Sequence, residues 1–237
     1  MRFRPSLPLT LMLAALAVVF LRLGLWQLER KAEKDELFAA FAAAPELHIE
    51  EAVARELEFA RVEAQGRYDP VRHLLLDNRI WNGRAGVHVL TPFRLDDRRT
   101  VLVNRGWLPL PADRRSLPEV PTDAAERPLR GRLVRPPTGG PRLGEADVLV
   151  ADRWPQLVTY FDLDAAAAAV GEPLLPWVVQ LDAAEADGFN DRQWRPAVME
   201  PEFHGGYAVQ WLALLVTTLV IWIVLGLRRG RHSGSRI

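Results

Sequence analysis

His204-Gly-Gly-Tyr207-Ala208-Val-Gln210-Trp211 and the apolar run behind it, Leu212 to Leu227, decide the fold of this chain. From Ala208 to Leu227 there are 20 residues without a charge, and only Gln210, Thr217 and Thr218 are clearly polar. At about 1.5 Å of rise per residue such a run makes roughly 30 Å of helix, the thickness of a bilayer's hydrocarbon core. The stretch predicts a membrane span with a histidine at its mouth. Tyr207 and Trp211 follow that histidine at helical spacings. A histidine in this position is either an interfacial anchor or a ligand.

The other end of the chain repeats the pattern. After Arg2 and Arg4 an apolar run extends from Leu7 to Leu21, meets Arg22, and continues Leu23-Gly24-Leu25-Trp26, so residues 7–26 predict a first span. A cleaved signal peptide shares the basic start, but its apolar core is only about 7–15 residues long. The nearest small-residue cluster, Ala42-Ala43-Ala44, lies beyond a charged segment, so an uncleaved helix is expected. That helix should run on through Arg30 and Lys34 to Phe38, with no breaker before Pro45. Arg2 and Arg4 flank the first span, and Arg228, Arg229, Arg231 and Arg236 follow the second, residues 204–227. Arginine marks the cytoplasmic side of a span. Both termini, residues 1–6 and 228–237, are therefore expected in the cytoplasm and residues 27–203 outside it. No amphipathic, acid-poor leader precedes the first span, which favours a bacterial inner (plasma) membrane and a periplasmic domain. Arg22 has two readings: a guanidinium snorkelling to the outer interface beside Trp26, or a functional cation within a span.

Composition narrows the function. The net charge is zero, so no bulk attraction to nucleic acid is implied. Cysteine is absent, which removes disulfides, thiolate metal sites and covalent c-type haem attachment. A nucleophile elbow, a Walker loop, a zinc-protease helix and a dinucleotide-binding turn are all missing. The chain does not read as an enzyme.

Between the spans, short alternating or apolar runs separated by turn formers predict strands at 58–66, 74–80, 86–93, 100–107, 129–135, 157–161 and 177–181. Asn82-Gly83 is a type I′ hairpin signal, and Asp162 or Asp164 caps a short helix ending at Val170. Residues 108–128 and Pro136 to Pro141 read as proline-rich loops. The fold class is thus an α+β membrane protein, two transmembrane helices flanking a mainly antiparallel, barrel-like β domain with a few short helices. Trp81, Trp107, Trp154, Trp177 and Trp194 are expected in packing roles. His73 and His88 fall on strands either side of the hairpin turn and are expected at its surface, or less simply as a metal pair without a third ligand. Asp96-Asp97 and the Asp162/Asp164 pair are explained by a turn and a helix start. In Asn104-Arg105-Gly106-Trp107, an arginine at a strand end is placed to present its guanidinium to an anion or partner.

Several stretches in this order resemble the surfeit locus protein 1 family of cytochrome oxidase assembly factors. They are Gly24-Leu-Trp26-Gln27-Leu-Glu-Arg30, Gly66-Arg-Tyr68, Leu76-Asp-Asn78-Arg79, Val101-Leu-Val-Asn104-Arg105-Gly106-Trp107, Pro176-Trp177 and His204 to Trp211. The resemblance spans nearly the whole chain, with the 108–144 stretch as its departure. It implies a non-enzymatic role in maturing haem–copper oxidases: haem a as cofactor, and oxidase subunit I and haem a synthase as partners. It also implies that His204 is the axial ligand of the haem iron. The chemistry is compatible, because the positive end of a helix dipole disfavours an imidazolium and haem iron takes a neutral imidazole. Tyr207 and Trp211 would border the porphyrin in an apolar slot between the helices. Arg22, beside Trp26 and with Arg30 beyond, would face the propionates. Arg105 and Trp107 are the expected partner-binding residues. The rival readings are a cofactor-free scaffold for oxidase subunits and a membrane-anchored periplasmic enzyme.

Overall fold

The computed structural model describes residue 3 and residues 5–111, 116–137, 147–197 and 199–232, with backbone alone at 230–232. Arg2, Arg4, Arg236, the side chain of Arg231 and parts of both proline-rich loops lie outside the described residues. The chain divides into two units, residues 1–42 with 195–237, and residues 43–194.

The first unit is a pair of helices. α1 spans Leu7–Ala43 and α4 spans Pro201–His232, and both are long and apolar enough to cross a membrane. α1 outruns its apolar part because Phe38-Ala-Ala-Phe-Ala-Ala is helix-forming, and it stops where Pro45 disfavours helical geometry at Ala44. Arg30–Glu33 and Lys31–Asp35 pairs, each at 2.6 Å, line its charged end. α4 begins earlier than the sequence suggests. Pro201 opens it, because proline suits the first helical turn, where its missing N–H leaves no bond unmade. His204 therefore lies inside the first turn, not before it.

The covered positions of the two helices step alternately by four and three. On α1 they are Leu13, Ala17, Phe20, Gly24, Gln27 and Lys31; on α4 they are His204, Ala208, Trp211, Leu215, Thr218 and Trp222. This is the heptad seam of a helix pair. At its centre Gly24 leaves room for Leu212, whose side chain stands 3.2 Å from where a Cβ would sit, and Phe20 stacks on Trp211 at 5.9 Å. Trp222 donates from Nε1 to Thr10 Oγ1 at 3.1 Å near the other end.

The second unit holds β1 (Glu46–His48), α2 (Ile49–Ala54), β2 (Arg61–Tyr68), β3 (Leu74–Trp81), β4 (Arg84–Leu95), β5 (Thr100–Pro109), β6 (Arg127–Val134), β7 (Gln156–Val158), α3 (Leu163–Val170) and β8 (Leu174–Leu181). Pairing runs β2–β6–β8–β5–β4, and a further β2–β4 pairing closes these strands into a ring. β4 makes closure possible by being long: Arg84 to Leu90 pair with β3, and Phe93 to Leu95 turn to β2. The β1–β2, β3–β7 and β5–β8 pairings are parallel and the rest antiparallel, which fits the expected mainly antiparallel barrel.

Both faces of the central strands are covered. Val101, Val103, Trp177 and Val179 point to one core with Tyr68 and Phe93, while Leu102 and Val178 point to another with Leu74, Phe161 and Ala166 of α3. Alternate side chains of a strand face opposite ways, so a run such as Val101-Leu-Val is buried throughout. The expected hairpin turn is present, with Asn82 at φ 48° and Gly83 at φ 74°. Asp162 is the cap of α3, its carboxylate accepting from the Ala165 N–H at 2.9 Å.

Candidate functional site

In the helix unit, His204 meets Gln27. The two approach at 2.8 Å, His204 Nδ1 to Gln27 Oε1. An amide oxygen only accepts, so the proton of this bond belongs to Nδ1 and the imidazole lone pair to Nε2. That is the arrangement in which a histidine ligates metal through Nε2 while its other nitrogen is held. Gln27 is 9% exposed, framed by Gly24 of its own helix and the seam of α4.

The surroundings of His204 are asymmetric. On one flank Lys31 reaches to within 3.5 Å of where a Cβ of Gly205 would sit. On the opposite flank, by helical spacing, lie Phe203 and Tyr207 of α4 and Trp26 of α1. These three rings are 60%, 46% and 46% exposed. Arg30 lies over the Trp26 ring, 5.8 Å from its centre. The slot expected between the helices is closed at this level by Gly24 against Leu212 and Trp211 on Phe20. Trp211 is a seam residue, and the flat exposed surface beside His204 is formed by Trp26, Phe203 and Tyr207. Arg22 is exposed and, five residues before Gln27, projects away from the seam, as a snorkelling arginine would.

Arg105 and Trp107 are buried in the β unit, at 3% and 1% exposure, so neither is presented to a partner. Arg105 donates to the carbonyls of Asp187 (2.9 Å) and Pro121 (3.4 Å) and to Thr122 Oγ1, between the rings of Tyr68 and Phe189. It ties two loops to the barrel wall. Burial lowers its basicity and raises the Tyr68 phenol well above its ordinary value. Replacing Arg105 with Ala is expected to cost about 2–3 kcal/mol, from several charge-assisted bonds partly replaced by water. A denaturant midpoint matching wild type would refute that role. Trp107 donates from Nε1 to Arg79 O at 3.1 Å and packs on Trp81.

His73 and His88 do not face each other, and neither is a surface histidine. His73 contacts Thr91 Oγ1 through Nδ1 at 3.0 Å and Pro70 O through Nε2 at 3.3 Å. His88 takes a bond at Nδ1 from Asn104 Nδ2 at 3.3 Å and lies edge-on to Trp194. Burial pushes each pKa down to about 4. Among the described residues, no group of three or more histidine, aspartate or glutamate side chains is placed to hold a metal.

Comparison with known proteins assigns the chain. The profile of the SURF1 family matches residues 14–216, from inside α1 to inside α4. The chain belongs to the SURF1 family. A SURF1-like protein of Monosiga brevicollis is 29% identical over 94% of this chain and 90% of its own length. Surfeit locus protein 1 of Takifugu rubripes is 28% identical over 84% of this chain and 89% of its own length. A SURF1-like protein of Rickettsia felis is 30% identical over 38% of this chain and 41% of its own length. Gln27, the partner of His204 in this SURF1-family chain, was not singled out in the sequence. It was readable as one of the rare polar residues on the seam spacing of α1, once α4 was known to place His204 on the facing seam.

Proposed function

We propose that this chain is an assembly factor for haem–copper (cytochrome c) oxidase that binds haem a through His204 and helps place it in subunit I. One observation carries the reading: the His204 ring is held at Nδ1 by Gln27, which leaves Nε2 as the lone-pair nitrogen, and the rings of Trp26, Phe203 and Tyr207 in the same helix pair are exposed. Neutral imidazole is a haem-iron ligand, and exposed aromatic faces suit a flat macrocycle. The donor set therefore fits the group, with Arg30, at the Trp26 ring, as the cation for a propionate. Bound haem would supply a coloured, redox-active iron; His204 would give that iron a nitrogen, and Trp26, Phe203 and Tyr207 would pack on the macrocycle. The chain sits, in this reading, in the bacterial inner membrane with both termini cytoplasmic. Haem a synthase would deliver the haem and subunit I receive it.

His204→Ala tests the assignment. Expressed with haem a synthesis, the wild type is expected to purify with a Soret band and the variant without one, both inserted in the membrane. An unchanged Soret band in His204→Ala would overturn the ligand. A colourless wild type that still supports oxidase assembly would make the protein a cofactor-free scaffold.

A further inference from the structure

Gln27 occupies a seam position where an apolar side chain would normally pack. A buried amide there costs stability unless it is bonded, and the bond it makes across the seam is to His204, 177 residues away in the chain. Its neighbours along the seam, Gly24 on α1 and Ala208 on α4, are small and are themselves buried. The amide is thus spent on orienting one ring. We propose that Gln27 is the positioning residue of the haem site: its Oε1 fixes His204 as the Nδ1–H tautomer, sets the ring's rotation, and reserves Nε2 for iron. The inference rests on the haem reading and adds a second residue, on the other helix, that tunes the ligand.

The consequence is graded. A hydrogen-bond acceptor on the non-ligating nitrogen raises the basicity of the ligating one, and the partner's charge sets how strongly. Glutamate at position 27 accepts more strongly than glutamine, and leucine not at all. Gln27→Leu also completes the apolar seam, so helix pairing and insertion are expected to survive.

The experiment compares wild type, Gln27→Leu and Gln27→Glu, each purified in detergent after co-expression with haem a synthesis. Haem affinity, the iron–histidine stretching band in resonance Raman spectra of the ferrous protein, and the midpoint potential are read. Gln27→Leu is expected to lose about 10- to 100-fold in affinity, as outer-shell partners of ligating histidines typically do. Its iron–histidine band should move down and its potential up, while Gln27→Glu retains haem and moves both the other way. Wild-type affinity with an unmoved band in Gln27→Leu would overturn the inference and leave haem binding standing. Loss of haem from Gln27→Glu would overturn it too, by showing that the amide donates to Nδ1 instead of accepting. A wild type that takes up no haem would remove the parent reading and this one together.

Discussion

Lowering the pH from 7 to 5 is expected to remove about 4 kcal/mol of stability from the β unit, roughly 2 kcal/mol through each of His73 and His88. His73 is buried and His88 largely covered, and desolvation pushes each pKa from an ordinary 6.5 to about 4. The unfolded chain binds protons at these rings below pH 6.5 and the folded chain does not until about pH 4. The unfolded state therefore holds more protons between those limits, and stability is lost as the pH falls through them. Around His73, Arg105 adds to the depression, while the Pro70 carbonyl and Asp69 oppose it. Around His88, Arg79 adds to it. Asp191, 3.8 Å from His88 Nε2, has its carboxyl pushed upward by burial and so works in the opposite sense, softening the loss. Ordinary carboxylates begin to titrate only at the bottom of this window. Urea unfolding of the full chain in detergent, followed by tryptophan fluorescence, should show the fall in midpoint, and a His73→Gln/His88→Gln variant should flatten it. Equal midpoints at pH 7 and 5 in the wild type would show that these rings are protonated without cost.

That effect could not be anticipated from the strands alone. His73 and His88 sit on runs that read as hairpin strands, and a hairpin strand has one wet face. The ring closure and the second core under α3 cover both faces. Closure depends on pairing Gly66–Tyr68 with Phe93–Leu95, a long-range register that no local pattern announces. β1 and α2, of three and six residues, are too short to show a period. What was legible had a local cause: the uncharged 20-residue run of α4, the Asn-Gly turn and the Asp162 cap. At the candidate site, Tyr207 near His204 was readable from helical spacing, whereas Trp211 turns to the seam against Phe20, and Phe203 was not singled out. The place of His204 within the helix was not readable, because Pro201-Glu-Phe reads as a loop until Pro201 is seen to open α4. Arg105 shows the same limit. Its partners Pro121, Thr122 and Asp187 lie 16, 17 and 82 residues away, and only the fold brings their oxygens to it.

Gly86→Val is expected to be severely damaging to the β unit, at more than about 4 kcal/mol. Strand propensity points the other way, since valine suits a strand better than glycine; packing decides. A Cβ on Gly86 would stand 2.3 Å from Leu108 O and 2.3 Å from the Trp107 ring. The carbonyl cannot rotate aside without opening the β4–β5 ladder, where Gly86 faces Pro109 and Val87 faces Leu108. The indole is equally confined, 1% exposed, bonded to Arg79 O and packed on Trp81. Overpacking of a tight site costs about 1–3 kcal/mol, and displacing a buried tryptophan about 3–5 kcal/mol more if the ring must leave. Trp107→Phe added to Gly86→Val relieves the ring contact but not the backbone one, so the double variant should recover only part of the loss. Denaturant midpoints of the four proteins in this cycle give the answer. A Gly86→Val protein within about 1 kcal/mol of wild type would mean that β4 and β5 separate freely here, and that Trp107 is not the pin that holds them.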